Sequence, residues 1–306
     1  MAASTVRTAD ALGQRTGCRR ERSSIGAITG GGRERSNASV SSSKVTLREA
    51  RNPRTGVRLE NSFIPVPGVG ETTERTLWRN GCTCWDEFDG SLVGPTQERR
   101  VLSFVDEATD RLDADDADYF ERALPTSERW RLYEDFRDDA LFLDIETTGL
   151  DHHRNDVTTV SLHQGSRTRT LVRGDDLTAD ALAAEIEAAP LLVTFNGARF
   201  DVPFLEAQFN HPFDCAHLDL MYPCRRAGLT GGLSAIEEAV GIERDRPDIS
   251  GRDAVRLWHA HERGEDGALE TLIEYNREDT ENMKPVADAM ANRLHEEVFE
   301  AVCEDG

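Results

Sequence analysis

The stretch LFLDIETTGL at residues 141–150 constrains the chain more than any other, because two carboxylates, Asp144 and Glu146, stand one residue apart inside an apolar run. Such a run reads as a buried strand, ended by the polar turn Thr147-Thr148-Gly149. Along a strand the side chains at i and i+2 point to the same face, so the two acids project together. Two carboxylates in one buried place are costly unless they are paired or bind a metal. The rest of the chain must bring something to them.

Around this strand the pattern predicts a mixed sheet. ALFLDIE, DVTTVSLHQ and TRTLVRG are three short β-type runs divided by polar turns. LTADALAAEIEAA follows as a helix with Thr178 as its cap, then PLLVTFN as a fourth strand, DVPFLEAQF as a helix and CAHLDLM as a fifth strand. GGLSAIEEAVG, GRDAVRLWHAHERG and ALETLIEYNREDTENMKPVADAMANRLHEE complete the chain as helices. The expected class is α/β, a five-stranded mixed sheet flanked by helices.

Upstream, residues 61–88 read as a small helical unit in which PGVGETTERTLW places a Gly-x-Gly turn before a helix with acids in its first turn. A helix-hairpin-helix element uses such a turn to offer backbone N–H groups to a phosphate, although a plain tight turn fits equally. Leu102–Leu124 and Trp130–Phe136 are expected as connecting helices. Residues 1–44, rich in Ser, Gly, Arg and Thr, are expected to be a disordered basic tail, with translation beginning near Val45 as an alternative. The expected parts are therefore 1–44, a helical element at 45–137, the sheet domain at 138–296 and a C-terminal tail at 297–306.

Charge divides the chain. Residues 1–60 carry a net +7 and residues 61–306 a net −28, with Lys44 and Lys284 the sole lysines. An acidic, lysine-poor surface is similar to that of proteins from salt-accumulating halophilic archaea. A net charge of −21 repels nucleic acid at low ionic strength, but the Debye length shrinks to about 3 Å at 1 M salt, so the objection fades there. No apolar run of membrane-spanning length and no secretory signal is found, so a cytoplasmic protein without membrane contact is expected. The six cysteines form no C-x-x-C pair and read as free thiols, with a composite metal site from Cys82, Cys84, Cys215 and Cys224 as the weaker alternative.

Two further signals join the paired acids. TFNGARFDVPFL at 194–205 sets Asp201 just past an apolar strand and a glycine turn. YNREDTENM at 275–283 sets Tyr275 and Asp279 four apart, on one helix face. In this order the three segments resemble the DEDD 3′ to 5′ exonucleases of the ribonuclease H-like fold. DIETTG matches that family's Asp-x-Glu motif and NGARFD its second motif. Tyr275 to Asp279 matches the Tyr-x-x-x-Asp of its tyrosine subgroup, while the histidine subgroup would need His where Glu274 stands. The resemblance covers about residues 138–292, and the YN-x-x-D ending is similar to that of prokaryotic ribonuclease H-like domain proteins.

The resemblance implies a nuclease acting on DNA or RNA with two divalent ions, Mg²⁺ or Mn²⁺, held by Asp144, Glu146, Asp201 and Asp279. Such ions activate a water and neutralise charge on the attacking and leaving oxygens. Tyr275 would orient the attacking water, its ordinary pKa of about 10 making it a poor base. Thr147, Leu150, Asn196 and Phe200 are implied around the terminal nucleotide, with Arg199, Arg225 and Arg226 as phosphate contacts. His217 and Asp219 read as structural, and His152 and His153 as solvated surface. Three alternatives stand beside this reading: the proofreading domain of a family B DNA polymerase, a structure-specific endonuclease or RNA-processing enzyme, and a non-catalytic nucleic-acid-binding protein. No polymerase-like region follows Asp279, and binding alone does not demand four clustered carboxylates.

Overall fold

A computed structural model describes residues 57–304. The expectations for the basic tail and for a start near Val45 lie outside the described residues. Among those described, no helix is long and apolar enough to cross a membrane.

The first part of the described chain is helical: α1 (Glu71–Arg79), α2 (Pro95–Asp113), α3 (Ala117–Ala123) and α4 (Tyr133–Phe136), with a 3₁₀ run at Thr126–Leu132. α2 begins earlier than its apolar spacing suggested, because Pro95 occupies the first helical position, where a missing N–H costs nothing. It ends before residue 124 because Asp115 takes a left-handed φ of 55°, which breaks the helix into two. The expected hairpin before α1 is a single 3₁₀ turn, Leu59–Asn61, followed by turns. The carbonyls of Pro67 and Gly68 in the Gly-x-Gly segment accept from Arg100 and Gln97 at 2.9 and 2.8 Å, so α2 clamps that turn.

The sheet consists of β1 (Leu141–Thr147), β2 (Val157–Gln164), β3 (Arg167–Val172), β4 (Leu192–Thr194) and β5 (His217–Asp219), in the spatial order β3-β2-β1-β4-β5. β1, β2 and β3 pair antiparallel, while β4 and β5 join parallel to β1. β1 is therefore central. On one face its Leu143 and Ile145 pack with Leu182, Ile186, Phe204 and Leu205 from α5 (Ala179–Ile186) and α6 (Asp201–Phe209). The remaining helices are α7 (Met221–Arg226), α8 (Leu233–Val240), α9 (Gly251–Glu262), α10 (Ala268–His295) and α11 (Ala301–Glu304).

The 28-residue α10 crosses the other face of β1 and β2. Its buried positions recur every three or four residues through Leu272, Tyr275, Asn276, Asp279, Thr280, Met283, Val286, Ala287, Met290 and Leu294. Where the stripe meets the middle of β1 it turns polar, and below that it is apolar. The apolar half joins Trp78, Phe120, Tyr133 and Phe136 in one cluster with Phe142 and Val193 of the sheet, so the helical element expected at 45–137 shares its core with the sheet domain. Asp288 of α10 accepts from Tyr133 Oη at 2.7 Å and from Arg137 at 2.8 Å, tying the two parts together. Where a tail was expected from 297, the chain continues as a π turn and α11, with Val298 and Val302 buried. Phe299 meets Trp78 edge to face at 5.0 Å, which fixes that end against α1.

Candidate active site

β1 delivers Asp144 and Glu146 to the face that α10 covers, opposite Ser161 and Thr159 of β2. The pairing register shifts between Glu146 and Thr147, and such a bulge turns the end of a strand out of the ladder. Thr147 donates its hydroxyl to the carbonyl of Gly149 at 2.7 Å to close the turn. A Cβ at Gly149 would lie 2.5 Å from Asn155 Oδ1, so a larger residue there would displace the Asn155 side chain.

Across the gap, α10 supplies Tyr275, Asn276 and Asp279 on neighbouring turns of one face. One carboxylate oxygen from each of Asp144, Glu146 and Asp279 lies within 4.8 Å of the other two, so a single ion can touch all three. Asp201 opens α6, and its charge is felt by both Asp144 and Glu146. Glu146, Asp201 and Asp279 are 9, 4 and 9 % exposed, which leaves little water to solvate their charges.

The consequence is electrostatic. Burial is the leading cause that pushes the Asp144 carboxyl well above the ordinary carboxylate range, followed by the charges of Asp279, Asp201 and Glu146. Burial and the charges of Asp279 and Asp201 likewise push Glu146 well up. Asp201 is raised to about 7, first by burial and then by Asp219, against the lowering effect of backbone N–H groups. Asp279 reaches about 6, burial winning over the Arg244 guanidinium that opposes it. Tyr275 is raised by burial and by the charges of Asp279, Glu146 and Asp144, so it remains a neutral phenol and can donate a hydrogen bond.

Leu150 is 86 % exposed at the mouth of a cleft of about 620 Å³. The cleft is lined by Ile145, Glu146 and Thr147 of β1, by Phe200, and by Arg252 and Val255 of α9. Phe200 also packs against Phe204 at 5.3 Å, so the ring belongs to the core and to the cleft at once. Asn196 takes a left-handed φ of 65° at the end of β4 and donates its backbone N–H to Asp219 at 2.7 Å. Asp219 also accepts from the N–H groups of Ala198 and Met221 at 3.2 and 3.0 Å, which makes it the organiser of both strand ends. His217 shares a hydrogen bond with Thr194 at 2.8 Å and is held well below its ordinary pKa, at about 4, mainly by burial.

Arg199 and Arg225 are exposed beyond the ends of β4 and β5. Arg226 departs from the expected phosphate contact: it pairs with Glu128 and, at 3.1 Å, with Glu71, so its charge is spent joining α7 to the helical element. The four cysteines of the alternative metal site do not group. Among the described residues the carboxylates alone form a metal-sized cluster, and burial pushes the thiols of Cys215 and Cys224 up to about 11 and about 12.

Two contributors escaped the sequence reading. Asn276 donates to Asp144 Oδ2 at 2.7 Å and accepts from the Thr159 hydroxyl at 2.9 Å, which fixes one oxygen of the central acid. It stands beside Tyr275 in the YN-x-x-D ending, which marked the position without indicating its bond to Asp144. Arg244 contacts Asp279 from a polar loop, GIERDRPDIS, whose lack of any period gave no signal.

Residues 141–291 match the family model of the RNase_H superfamily, and the fold is ribonuclease H-like, with a five-stranded mixed sheet between helices. Similar solved structures include Brucella melitensis NrnC with bound Mg²⁺, at 17 % identity over 56 % of this chain and 82 % of that one, TM-score 0.41. The Aedes aegypti Nibbler EXO domain is 14 % identical over 55 % of this chain and 87 % of that one, TM-score 0.40. The family B DNA polymerase of Pyrobaculum calidifontis is 15 % identical over 51 % of this chain, TM-score 0.39, and the match spans 28 % of the polymerase. No curated protein matches the chain.

Proposed function

We propose that this protein is a metal-dependent 3′ to 5′ exonuclease of the tyrosine DEDD kind that hydrolyses phosphodiester bonds at single-stranded 3′ ends of DNA or RNA, in the cytoplasm of a halophilic cell. One observation carries the reading: acids from the central strand and from a helix far along the chain bring three carboxylate oxygens within 4.8 Å of one another.

The donor set tests well against Mg²⁺ and Mn²⁺, hard ions that favour oxygen. All four acids are pushed upward in pKa, so the folded site holds more negative charge than the protein neutralises, and bound cations would relieve it. When bound, two such ions supply an activated water and charge neutralisation on both reacting oxygens.

The chain's own groups do the rest. Asn276 holds one oxygen of Asp144, which leaves the other for an ion shared with Glu146 and Asp279. Glu146 and Asp279 would hold an ion together with Asp144, and Asp201 of α6 would support a second one. Tyr275, kept protonated, donates a hydrogen bond that orients the attacking water. Leu150 and Phe200 flank the terminal nucleotide, where base-on-aromatic stacking contributes about 1–3 kcal/mol and ignores sequence. Thr147 and Asn196 shape the turns beside that nucleotide, while Arg199 and Arg225 meet outer phosphates.

The test is a digestion series at high salt with Mn²⁺ or Mg²⁺, using 5′-labelled single-stranded DNA, duplex DNA and RNA. Single-nucleotide laddering from the 3′ end that disappears in Asp144→Ala supports the reading. A few discrete internal cuts would show an endonuclease, and binding without cleavage would remove the enzymatic role.

A further inference from the structure

Arg244 lies on the loop between α8 and α9 with a side chain 8 % exposed. It donates to Glu237 at 2.6 Å and to the Ser234 hydroxyl at 3.2 Å, and it also contacts Asp279 Oδ1. Its guanidinium faces the Tyr275 ring at 5.6 Å, and Glu278 lies 3.8 Å away. A fixed cation thus rests on a carboxylate that the two-ion reading gives to a metal. Like charges repel strongly in so dry a place, so arginine and ion compete for the same acid.

A second observation shows where the arginine can go. Glu237 of α8 is fully buried, and its Oε1 atom has no hydrogen-bond partner among the described residues. A buried carboxylate oxygen left unpaired is expensive, and a planar guanidinium is built to take both oxygens of one carboxylate. Arg244 already holds the other oxygen of Glu237. A small rotation would exchange the Asp279 bond for the vacant Glu237 oxygen.

We propose that Arg244 is a resident counter-cation of the metal site, neutralising Asp279 in the metal-free protein and retiring onto Glu237 when a divalent ion takes that carboxylate. The proposal rests on the metal-site reading given above. Metal loading at the Asp279 side is then an exchange of cations, and Glu237 sets how readily the exchange occurs.

Isothermal titration of Mn²⁺ into the intact protein, without nucleic acid, reads this directly. Arg244→Gln is expected to bind Mn²⁺ about tenfold tighter, a gain of roughly 1.4 kcal/mol. Glu237→Gln, which removes the resting place, is expected to bind several-fold more weakly. A merely architectural arginine would weaken binding in both variants or leave it unchanged, so Arg244→Gln with unimproved affinity overturns the proposal. Should that variant fail to fold, Arg244→Lys, whose shorter head stays at Glu237 and falls short of Asp279, must also bind more tightly, and unchanged or weaker binding by it is equally fatal. Asp144→Asn separates the two levels of inference: if it binds Mn²⁺ as the wild type does, the metal site itself is wrong. If it loses binding while the Arg244 variants gain none, the exchange alone fails.

Discussion

Two groups of buried charges, built from the same few residue types, have opposite character. Near α1, Arg131 is fully buried and donates to Glu74 at 2.9 and 3.0 Å and to Glu128 at 2.9 Å, while Arg226 also contacts Glu128. Arg131 and Arg226 there face the buried Glu74 and Glu128, with the exposed Glu71 as a further partner of Arg226, and Glu74 also accepts the backbone N–H of Phe63 at 2.7 Å. Beside β1 lie four acids, Asp144, Glu146, Asp201 and Asp279, and among the described residues the one ion pair made to them is that of Arg244 with Asp279. The first group is closed and ties segments together. The second is left short of positive charge, and that shortage is what a divalent ion can use.

The contrast can be broken most decisively at the acids. Asp144→Ala should reduce kcat/KM on 5′-labelled single-stranded DNA by about a thousandfold or more while leaving the circular dichroism spectrum intact, since it removes the acid at the centre of the cluster. Activity within a few-fold of wild type would make this cluster an ordinary buried defect. Arg131→Met should do the reverse, costing about 3–5 kcal/mol in urea unfolding because Glu74 is left buried without its cation while Glu128 keeps Arg226 alone. Replacing Glu74 by an apolar residue in the same chain should recover much of that loss. A single variant as stable as wild type would show that the first group is not a closed one.

Smaller effects sharpen the comparison. In metal-free buffer, Asp144→Asn should stabilise the fold by about 1 kcal/mol, roughly 2–4 °C in melting temperature, because repulsion falls while the shape stays. Its stability gain should also depend on pH. Folded Asp201 and Asp279 titrate near 7 and near 6, above the unfolded value of about 4, so across that window the folded state holds more protons than the unfolded one. Their contribution to stability is complete below about pH 4 and lost as pH rises through 6 and 7. Asp144, pushed up by burial and by the charges of Asp279, Asp201 and Glu146, adds a further group of the same sign that Asp144→Asn lacks, so the metal-free wild type should lose melting temperature relative to that variant as pH rises from 5 to 8. Adding Mn²⁺ should reverse the trend, since the ion requires deprotonated ligands. A flat difference between the two proteins over that range would mean the acids do not feel one another.

Much of this architecture was legible before any coordinates. The apolar run around Asp144 and Glu146, the helix after Thr178 and the long stripe of α10 follow from periods of two and of 3.6, which are local properties. Thr178 does accept the N–H of Ala181 at 3.2 Å, as its position before the helix foretold. Arg226 shows where such reading stops. An arginine near a strand end looks like a phosphate contact, yet its partners Glu71 and Glu128 stand some hundred and more residues away in a different part of the chain. The helical end at 297–304 escaped for a related reason: its apolar residues make sense once Trp78 is known to lie against Phe299.

The sequence by itself determined which side chains share a face: Asp144 with Glu146 on a strand, and Tyr275 with Asp279 on a helix, because backbone geometry repeats at fixed intervals. Tertiary structure alone decided which charges meet. Asn276 reached Asp144, Arg244 reached Asp279, and Arg131 reached Glu74 through packing between distant segments. Electrostatic energy depends on separation in space and on the water excluded from between the groups, and neither quantity is written in the order of residues along the chain.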